Sequence, residues 1–232
     1  MRSLQIDKID WNLSTLGENA LVLEPAVDGT ELSVIHKVCS LIEKNGLNRL
    51  TDVIPTYGSI GLLFDEPVYD TKPFIDQLSG IFENPGDHKV SHKKIHVPVC
   101  YEIGLDWDDL EAHTGLKREG IIQLHSEQHY TVAMMGFIPG FLYLHGLDQR
   151  ISCPRKNEPR TRVPEGAVGI GGDQTGVYSL ESPGGWQILG RTPLSFFNSD
   201  NDPPVMVDLG DTVIFEPISE QEFKRLKMDL NS

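Results

Sequence analysis

Residues 166–193 read GAVGIGGDQTGVYSLESPGGWQILGRTP, and this stretch decides the fold that the sequence predicts. Glycine and proline separate short apolar pieces such as residues 167–170 and 186–189, so no helical spacing of apolar residues develops. The same pattern runs from Pro139 to Pro204. Short apolar strands joined by glycine- and proline-rich turns are typical of a β-barrel or a sandwich with long loops. We predict such a β structure for this half of the chain.

The first third of the chain predicts a separate, smaller α/β unit. Between residues 31 and 44 the apolar residues recur at steps of three and four, which predicts an amphipathic helix that ends at Gly46. The stretch 84–94 is polar and contains Pro, Gly and Asp. We therefore place the domain boundary there, with an N-terminal α/β domain at residues 1–86 and a C-terminal β domain at residues 87–232. The predicted class is α+β.

The end of the chain predicts two strands and a helix. Residues 205–209 and 212–215 are apolar runs on either side of a Gly-Asp pair, which predicts two strands joined by a turn. Ser219 and Glu222 have the spacing of a capping box, in which each residue satisfies a backbone N–H of the other. A terminal helix is therefore expected after Ser219.

The charge and the cysteines restrict the classes of function. The chain has 232 residues with 20 Lys and Arg against 34 Asp and Glu, a formal net charge of −14. A surface that coats nucleic acid is basic, so we expect no nucleic-acid partner. The three cysteines form no CxxC pair, and no stretch approaches the ~18 apolar residues of a membrane span. We expect a cytoplasmic protein with no membrane partner.

One segment has the opposite charge. Residues 150–162 carry five basic side chains and one acidic side chain, a local net charge of +4. Pro154 and Pro159 stiffen the backbone just before Arg155 and Arg160. Guanidinium groups bind carboxylate and phosphate oxygens through two parallel hydrogen bonds, so a small anionic ligand is one interpretation. The alternative is a solvated loop whose cations pair with acidic neighbours.

Residues 166–176 form a glycine-rich loop without a nucleotide-binding signature. Gly169 and Gly171 begin a GxGxxG pattern, but its sixth position is Gln174, and the chain contains no GxxxxGK[ST] string. The loop either holds an anion with its backbone N–H groups or lets two strands pack closely. The sequence leaves both alternatives open.

Aromatic residues next to glycine and proline mark two rigid turns. Residues 136–144 read GFIPGFLYL, and Trp186 follows a Pro-Gly-Gly turn, where its ring offers a flat apolar wall. Arg191 and Thr192 add a cation and a hydroxyl at a strand end. Each feature has a structural alternative, because a barrel corner, a core tryptophan and a paired arginine explain the same residues.

The sequence predicts no metal site and identifies no catalytic residue. Histidines recur at four-residue steps around residues 92 and 125, but no acidic or cysteine ligand pattern accompanies them. Ser182 and Cys153 lack a nucleophile elbow, so hydrolysis by a serine or cysteine nucleophile has little support.

The ordered motifs between residues 136 and 193 resemble the allophanate hydrolase subunit 1 family. That family includes the B subunits of 5-oxoprolinase and a sporulation-kinase inhibitor of bacilli. The resemblance rests on four motifs: GFIPGFLYL at 136–144, PR…PR…VP at 154–164, QTG at 174–176 and SPGGW…GRTP at 182–193.

The resemblance implies a cyclophilin-like C-terminal β-barrel in an enzyme that acts as a complex. Partners similar to the A and C subunits of 5-oxoprolinase would help this chain to open 5-oxo-L-proline to L-glutamate, with ATP bound in the complex and not necessarily by this chain. The site for a small anionic substrate or phosphate would include Arg155, Arg160, Gln174, Thr175, Trp186, Arg191 and Thr192, with pocket walls from Pro139, Phe141 and Tyr178. Two alternatives stay open: a carboxyltransferase-like subunit of the urea amidolyase type, and a non-enzymatic inhibitor of a histidine kinase.

Overall fold

A computed structural model describes residues 2–83 and 91–230 of the chain. The chain divides into two units, residues 1–91 and residues 92–232. Helices and strands occur in both units, so the predicted mixture of α and β elements is confirmed. The predicted boundary between residues 86 and 87 lies outside the described residues and stays a prediction.

The first unit is an antiparallel sheet packed with two helices. The sheet order is β1-β2-β3-β5-β4, and the elements are β1 (Arg2–Ile6), β2 (Ile9–Leu16), β3 (Ala20–Pro25), α1 (Leu32–Asn45), β4 (Leu50–Pro55), β5 (Ile60–Phe64) and α2 (Lys72–Glu83). Alternate residues of β2 enter the core, as Trp11 and Leu13 show. The helix predicted over residues 31–44 is confirmed as α1, which buries the predicted apolar face, including Ile35 and Ile42.

The hairpin of β1 and β2 was not predicted from the sequence. Ile6 pairs with Ile9, and the two turn residues between them, Asp7 and Lys8, have φ angles of 54° and 67°. Two positive φ angles define the type I′ turn, whose usual residues are Asn and Gly. Because Asp-Lys is not a typical pair for this turn, the sequence contains no recognisable hairpin signal here.

The second unit is built around a seven-stranded sheet. Its order is β13-β10-β11-β8-β7-β14-β6, and the elements of the unit are β6 (Lys94–Val99), α3 (Trp107–Thr114), α4 (Arg118–Ser126), β7 (His129–Met135), β8 (Leu142–His145), β9 (Arg160–Val163), β10 (Ala167–Gly171), β11 (Gln174–Val177), β12 (Ser182–Gly184), β13 (Gln187–Arg191), β14 (Thr212–Pro217) and α5 (Glu220–Leu230). Strands β9 and β12 form a separate pair. Half of the predicted capping box forms, because the Glu222 N–H donates to Ser219 Oγ at 3.2 Å, whereas the Glu222 carboxylate accepts hydrogen bonds from Arg225.

The seven-stranded sheet curls until its two edges meet at one point. Cys100 directly follows β6, and it exchanges two backbone hydrogen bonds of 2.8 and 3.1 Å with Arg191 at the end of β13. The enclosed core contains buried side chains from strands and helices, such as Leu110 and Leu144. The predicted β structure of residues 139–204 is therefore confirmed as a curled sheet.

The predicted strand at residues 205–209 is wrong. Val205 makes a single bridge with Phe197, and only the second predicted strand forms, as β14. The buried Asp211 carboxylate explains the difference, because it accepts the backbone N–H groups of Asp208 at 2.9 Å and Lys93 at 2.7 Å. These bonds hold the chain before β14 in a turn.

Candidate functional site

The exposed arginines of residues 150–162 pair with carboxylates beside them. Arg150 contacts Asp148 at 2.6 Å, and Arg162 forms two hydrogen bonds of 2.9 Å with Glu181. Exposed ion pairs contribute little to stability, ~0–1 kcal/mol each. Arg150 and Arg162 therefore follow the second alternative, in which cations of a solvated loop pair with acidic neighbours.

Asp106 draws two further cations of the segment to one buried carboxylate. Its side chain is 2% exposed and accepts hydrogen bonds from Lys156 Nζ at 3.0 Å, from the Ile188 N–H at 2.7 Å and from Arg160 Nη2. Lys156 also contacts Asp109 at 2.6 Å. Burial alone would raise the pKa of the Asp106 carboxyl, but the hydrogen bonds from Arg160, Ile188 and Lys156 outweigh burial and lower that pKa. Asp106 therefore stays charged at neutral pH and fastens the basic segment to the start of α3.

Arg155 differs from the other cations of the segment. In the part of the chain that the structure describes, its exposed guanidinium makes no hydrogen bond or ion pair with another side chain. Arg155 Cζ lies 5.6 Å from the ring centroid of Trp186. A cation over an indole face is worth ~0.5–1 kcal/mol at an exposed site. The Arg155 guanidinium is thus positioned by Trp186 and still available to an anion.

Arg155 and Trp186 line a cavity of about 300 Å³ with aromatic walls, called the aromatic cavity below. Phe141 packs edge to face against Trp186 at 5.4 Å and against Tyr178 at 4.9 Å, and Tyr143 lies 5.8 Å from Trp186. Ligand cavities span ~300–1,000 Å³, so this volume suits a small molecule. The structure therefore brings together four of the residues predicted for the site: Arg155, Phe141, Tyr178 and Trp186.

The glycine-rich loop at residues 166–176 supports the Trp186 ring. A Cβ atom on Gly171 would lie 2.7 Å from indole atoms Cδ2 and Cε2, and a Cβ on Gly176 would clash with the Leu142 carbonyl oxygen beside indole Cζ3. Such distances are too short for a side chain, so both positions need glycine. Of the two alternatives for this loop, the structure shows close packing.

Two phenol groups at the aromatic cavity stay protonated at neutral pH. Burial raises the pKa of Tyr143, and the charge of Arg155 offsets only part of that effect. Burial also raises the pKa of Tyr178, which the backbone N–H of Trp186 and the Arg155 charge lower in part. Each phenol is therefore able to donate a hydrogen bond to a carboxylate or carbonyl oxygen.

A more open groove of about 890 Å³ also includes Arg155 and Lys156. Its other lining residues include the carboxylates Asp109 and Glu158. Because these carboxylates repel an anion, the aromatic cavity is the better place for an anionic ligand.

Thr175 lies in the core of the second unit and does not line the aromatic cavity. Its hydroxyl donates to the Gly169 carbonyl oxygen at 3.0 Å and contacts His125 Nε2 at 2.8 Å, while His125 Nδ1 contacts the Tyr101 hydroxyl at 2.7 Å. Burial lowers the pKa of His125 to about 3, so the ring is neutral. Since the Thr175 proton is used on Gly169, we assign the His125 proton to Nε2. The Thr175 hydroxyl is fully used inside this network.

The other predicted residues also lie away from the walls of the aromatic cavity. Arg191 donates two hydrogen bonds of 2.9 and 3.3 Å to the Glu165 carbonyl oxygen. Thr192 is buried, Gln174 begins β11, and the Pro139 carbonyl oxygen accepts a hydrogen bond from a serine. Arg160 belongs to the Asp106 cluster described above. These positions favour structural roles for the five residues.

Two residues that matter to the site were not selected from the sequence. Tyr143 lies on the same side of its strand as Phe141, because side chains two residues apart share a face. That spacing is visible in the sequence and signals a second aromatic wall. The partners of Asp106 include Lys156, Arg160 and Ile188, which are too distant from it in sequence to reveal its role.

Residues 2–83 and 91–230 contain neither a group of metal ligands nor a membrane-spanning helix. No three His, Cys, Asp or Glu side chains among these residues are grouped to hold a metal ion. No helix in the same ranges is both long and apolar enough to cross a membrane. Cys39, Cys100 and Cys153 are free and buried.

Comparison with known proteins assigns the family. Residues 11–207 match the family model described as the carboxyltransferase domain, subdomain C and D. The chain belongs to this carboxyltransferase-domain family. The match includes every residue of the aromatic cavity.

Two curated relatives of this carboxyltransferase-domain chain are named as the B subunit of 5-oxoprolinase. The Bacillus subtilis protein is 32% identical over 240 residues, which cover 96% of this chain and 99% of the relative. The Escherichia coli O157:H7 protein is 36% identical over 210 residues, which cover 88% of this chain and 95% of the relative. Among solved structures, the Kluyveromyces lactis urea amidolyase superposes with a TM-score of 0.77 at 19% identity, covering 99% of this chain and 16% of that chain. That superposition shows a shared fold.

Proposed function

We propose that this chain is the B subunit of an ATP-dependent 5-oxoprolinase and that it binds 5-oxo-L-proline by its carboxylate. The observation that carries the proposal is the position of Arg155 over Trp186 at the aromatic cavity, where its guanidinium has no carboxylate partner among residues 2–83 and 91–230. A guanidinium binds a carboxylate through two charge-assisted hydrogen bonds. The small lactam ring presents apolar faces that match Trp186 and Phe141. Family membership and the two relatives named for 5-oxoprolinase support the same substrate.

In the proposed reaction, the residues of this chain bind and orient the substrate. ATP transfers its γ-phosphoryl group to the lactam oxygen and leaves as ADP. Water then adds to the activated ring carbon, the C–N bond breaks as its nitrogen takes up a proton, and inorganic phosphate leaves to give L-glutamate. Arg155 holds the substrate carboxylate, and the Tyr143 and Tyr178 phenols are the nearby donors for the lactam oxygen. Trp186 and Phe141 pack against one side of the ring, so that the water which opens it reaches the activated carbon from the opposite side.

We assign the ATP site and the catalytic base to partners similar to the A and C subunits of 5-oxoprolinase, so that activity requires the complex. Lys156 and Arg160 are held by Asp106, and the glycine-rich loop packs against Trp186. Arg155 is therefore the free cation that this segment offers, which matches one carboxylate better than a triphosphate. A complete site for phosphoryl transfer also needs a metal-binding group and a base, which we expect on the partners.

The test is the variant Arg155→Ala in the complex reconstituted with the two partner proteins, one A-like and one C-like. A hydrogen bond to a charged group is worth ~1.5–3 kcal/mol, so we expect the KM for 5-oxo-L-proline to rise about 10- to 150-fold. Arg162→Ala is the matched control, because Arg162 pairs with Glu181 at the surface and its loss leaves the KM unchanged. The measured quantity is ATP-dependent L-glutamate formation. No glutamate from the wild-type complex, or an unchanged KM for Arg155→Ala, contradicts the proposal.

A carboxyltransferase that acts on urea or another amide is the second candidate. The family model and the shared fold with urea amidolyase favour it. Urea has no carboxylate, so a urea-dependent activity with a biotin-carrying partner would not depend on the Arg155 guanidinium in the same way. Turnover of urea with an unchanged KM in Arg155→Ala would therefore support this candidate over the first.

We also propose that the second unit is a cyclophilin-like barrel, that the domains are residues 1–86 and 87–232, and that the protein acts in the cytoplasm. The contact of the two sheet edges at Cys100 and Arg191 supports the barrel. Three free, buried thiols fit a reducing compartment.

A further inference from the structure

Phe137 combines two unfavourable features in one residue. Its φ angle is 69°, in the left-handed region that bulky side chains rarely adopt, and its side chain is 64% exposed. The turn that contains it is well held, because the Phe141 N–H donates to the Ile138 carbonyl oxygen at 3.1 Å and the Gly136 N–H donates to the Phe141 carbonyl oxygen at 3.3 Å. Backbone conformations of this kind cluster at functional sites.

The packing of Gly140 explains why the turn does not relax. Gly140 has a φ angle of 74°, and a Cβ on it would lie 2.8 Å from the Phe197 Cβ and 3.3 Å from the Ser179 Cβ. The turn therefore packs directly against these neighbours. Phe137 adopts its unfavourable φ angle within a turn whose path is determined by Gly140.

The Phe137 ring extends the wall of the aromatic cavity toward solvent. It lies 5.9 Å from the Phe141 ring at an interplanar angle of 89°, and Phe141 packs in turn against Trp186. Phe137 lines the aromatic cavity together with Arg155. An exposed aromatic ring and a free cation therefore face the same small space.

We propose that Phe137 is a specificity-determining residue whose ring packs against the ring of a bound cyclic monocarboxylate. The proposal rests on the proposed function, because it takes the aromatic cavity as the substrate site. Binding buries the exposed Phe137 ring and aligns the ligand carboxylate with Arg155. The apolar contact that the free protein lacks is thus made only when a cyclic ligand is present.

The same geometry discriminates between a cyclic substrate and its open-chain product. Lys156 also lines the cavity, but Asp106 and Asp109 occupy its ammonium group. One free guanidinium therefore balances one carboxylate. The second carboxylate of L-glutamate would meet only the neutral Tyr143 and Tyr178 phenols and no second free cation, and a carboxylate charge without a cation beside aromatic walls is unfavourable. Phe137 and Arg155 together favour the closed ring.

The test measures ligand binding and turnover in the reconstituted complex for Phe137→Gly and Phe137→Leu. Isothermal titration uses three probes: 5-oxo-L-proline, cyclopentanecarboxylate and L-glutamate. Loss of one aromatic contact predicts about 2- to 12-fold weaker binding of both cyclic probes to Phe137→Gly, with a matching rise in KM and an unchanged kcat. Phe137→Leu keeps part of the apolar surface and recovers part of the affinity.

A thermal melt separates this role from a structural one. Glycine adopts positive φ angles without strain, so Phe137→Gly is expected to melt no lower than wild type although it binds more weakly. Tyr69→Ala removes another exposed aromatic side chain, in the first unit, and is expected to change neither affinity nor KM.

Each outcome of these measurements decides between the two proposals. Cyclic probes that bind wild type and bind Phe137→Gly more weakly, without glutamate formation, support Phe137 and contradict the 5-oxoprolinase function. Equal affinities for wild type and Phe137→Gly overturn the role of Phe137, even where glutamate forms. Failure of Phe137→Gly to assemble with the two partner proteins also overturns it and makes Phe137 a docking residue. A wild-type complex that binds neither cyclic probe overturns both proposals.

Discussion

Asp106→Asn removes the charge that fastens the basic segment to α3, and we expect it to cost the second unit about 3 kcal/mol of unfolding free energy. Removing one partner of a buried ion pair costs ~3–5 kcal/mol, because the remaining charge is left uncompensated. The Lys156 and Arg160 side chains are 24% and 25% exposed, so water compensates part of the loss and the lower end of that range applies. The Asn oxygen can still accept the Ile188 N–H. Its NH₂ group offers no acceptor to either cation.

The assay is urea unfolding followed by tryptophan fluorescence, in which Trp107 and Trp186 report on the second unit. Asp109→Asn is the matched control, because it removes the other carboxylate on Lys156 but one whose side chain is 55% exposed. An exposed ion pair of this kind contributes at most ~1 kcal/mol to the free energy of unfolding. An equal decrease in the free energy of unfolding for Asp106→Asn and Asp109→Asn would refute the reasoning that burial makes Asp106 the stronger partner of the basic segment.

The lowered pKa of Asp106 also determines the direction of a pH effect. A carboxyl with a folded-state pKa below its unfolded value of about 3.9 contributes its full stability above that value. The contribution is lost as the pH falls through the folded pKa. Wild-type stability should therefore decrease more steeply below pH ~4 than the stability of Asp106→Asn. Parallel curves for the two proteins would show that Asp106 is not stabilised in its charged form.

Two further variants test the supports of the site and the core. Gly171→Ala places a Cβ 2.7 Å from the Trp186 indole. We therefore expect its free energy of unfolding in urea to fall by ~1–3 kcal/mol and its tryptophan emission to shift. The control Gly120→Ala, in the open part of α4, is expected to raise the free energy of unfolding by up to ~1 kcal/mol. Tyr101→Phe leaves the buried His125 Nδ1 without its donor and should cost ~1–3 kcal/mol in the same assay; a neutral result would show that the hydrogen bond contributes nothing.

Local patterns predicted helices well and strand partners poorly. The spacing of Ile35, Val38 and Ile42 predicts the apolar face of α1, because residues near one another in the sequence determine it. The turn before β14 depends on a hydrogen bond between Lys93 and Asp211, which are 118 residues apart. No pattern within residues 205–211 contains that partner, and the apolar run there predicted a strand that does not form.

In the candidate site, too, local sequence predicted some residues, whereas the roles of others depend on distant partners. Trp186 and Phe141 were predicted because aromatic residues beside glycine and proline form rigid walls, which is a local property. The hydrogen bonds of Asp106 to Lys156 and Arg160 join residues 50 and 54 positions apart. The sequence therefore left anion binding and ion pairing open for the whole basic segment. The structure shows ion pairing for Arg150, Lys156, Arg160 and Arg162, while anion binding by Arg155 stays a proposal.

Because the other cations of the basic segment are paired with carboxylates, Arg155 can offer a site to an anion on a chain with a net charge of −14. Lys156 and Arg160 with Asp106 and Asp109 form a cluster of two positive and two negative charges, so the cluster adds little net field at the aromatic cavity. Carboxylates farther than a Debye length of ~8 Å are screened at physiological salt. Arg155 is then the charge that a ligand meets, beside aromatic walls that weaken its field less than water does. In the function that we propose, the preference for a monoanion follows from the number of cations near the cavity that lack a carboxylate partner within residues 2–83 and 91–230, and not from the charge of the chain.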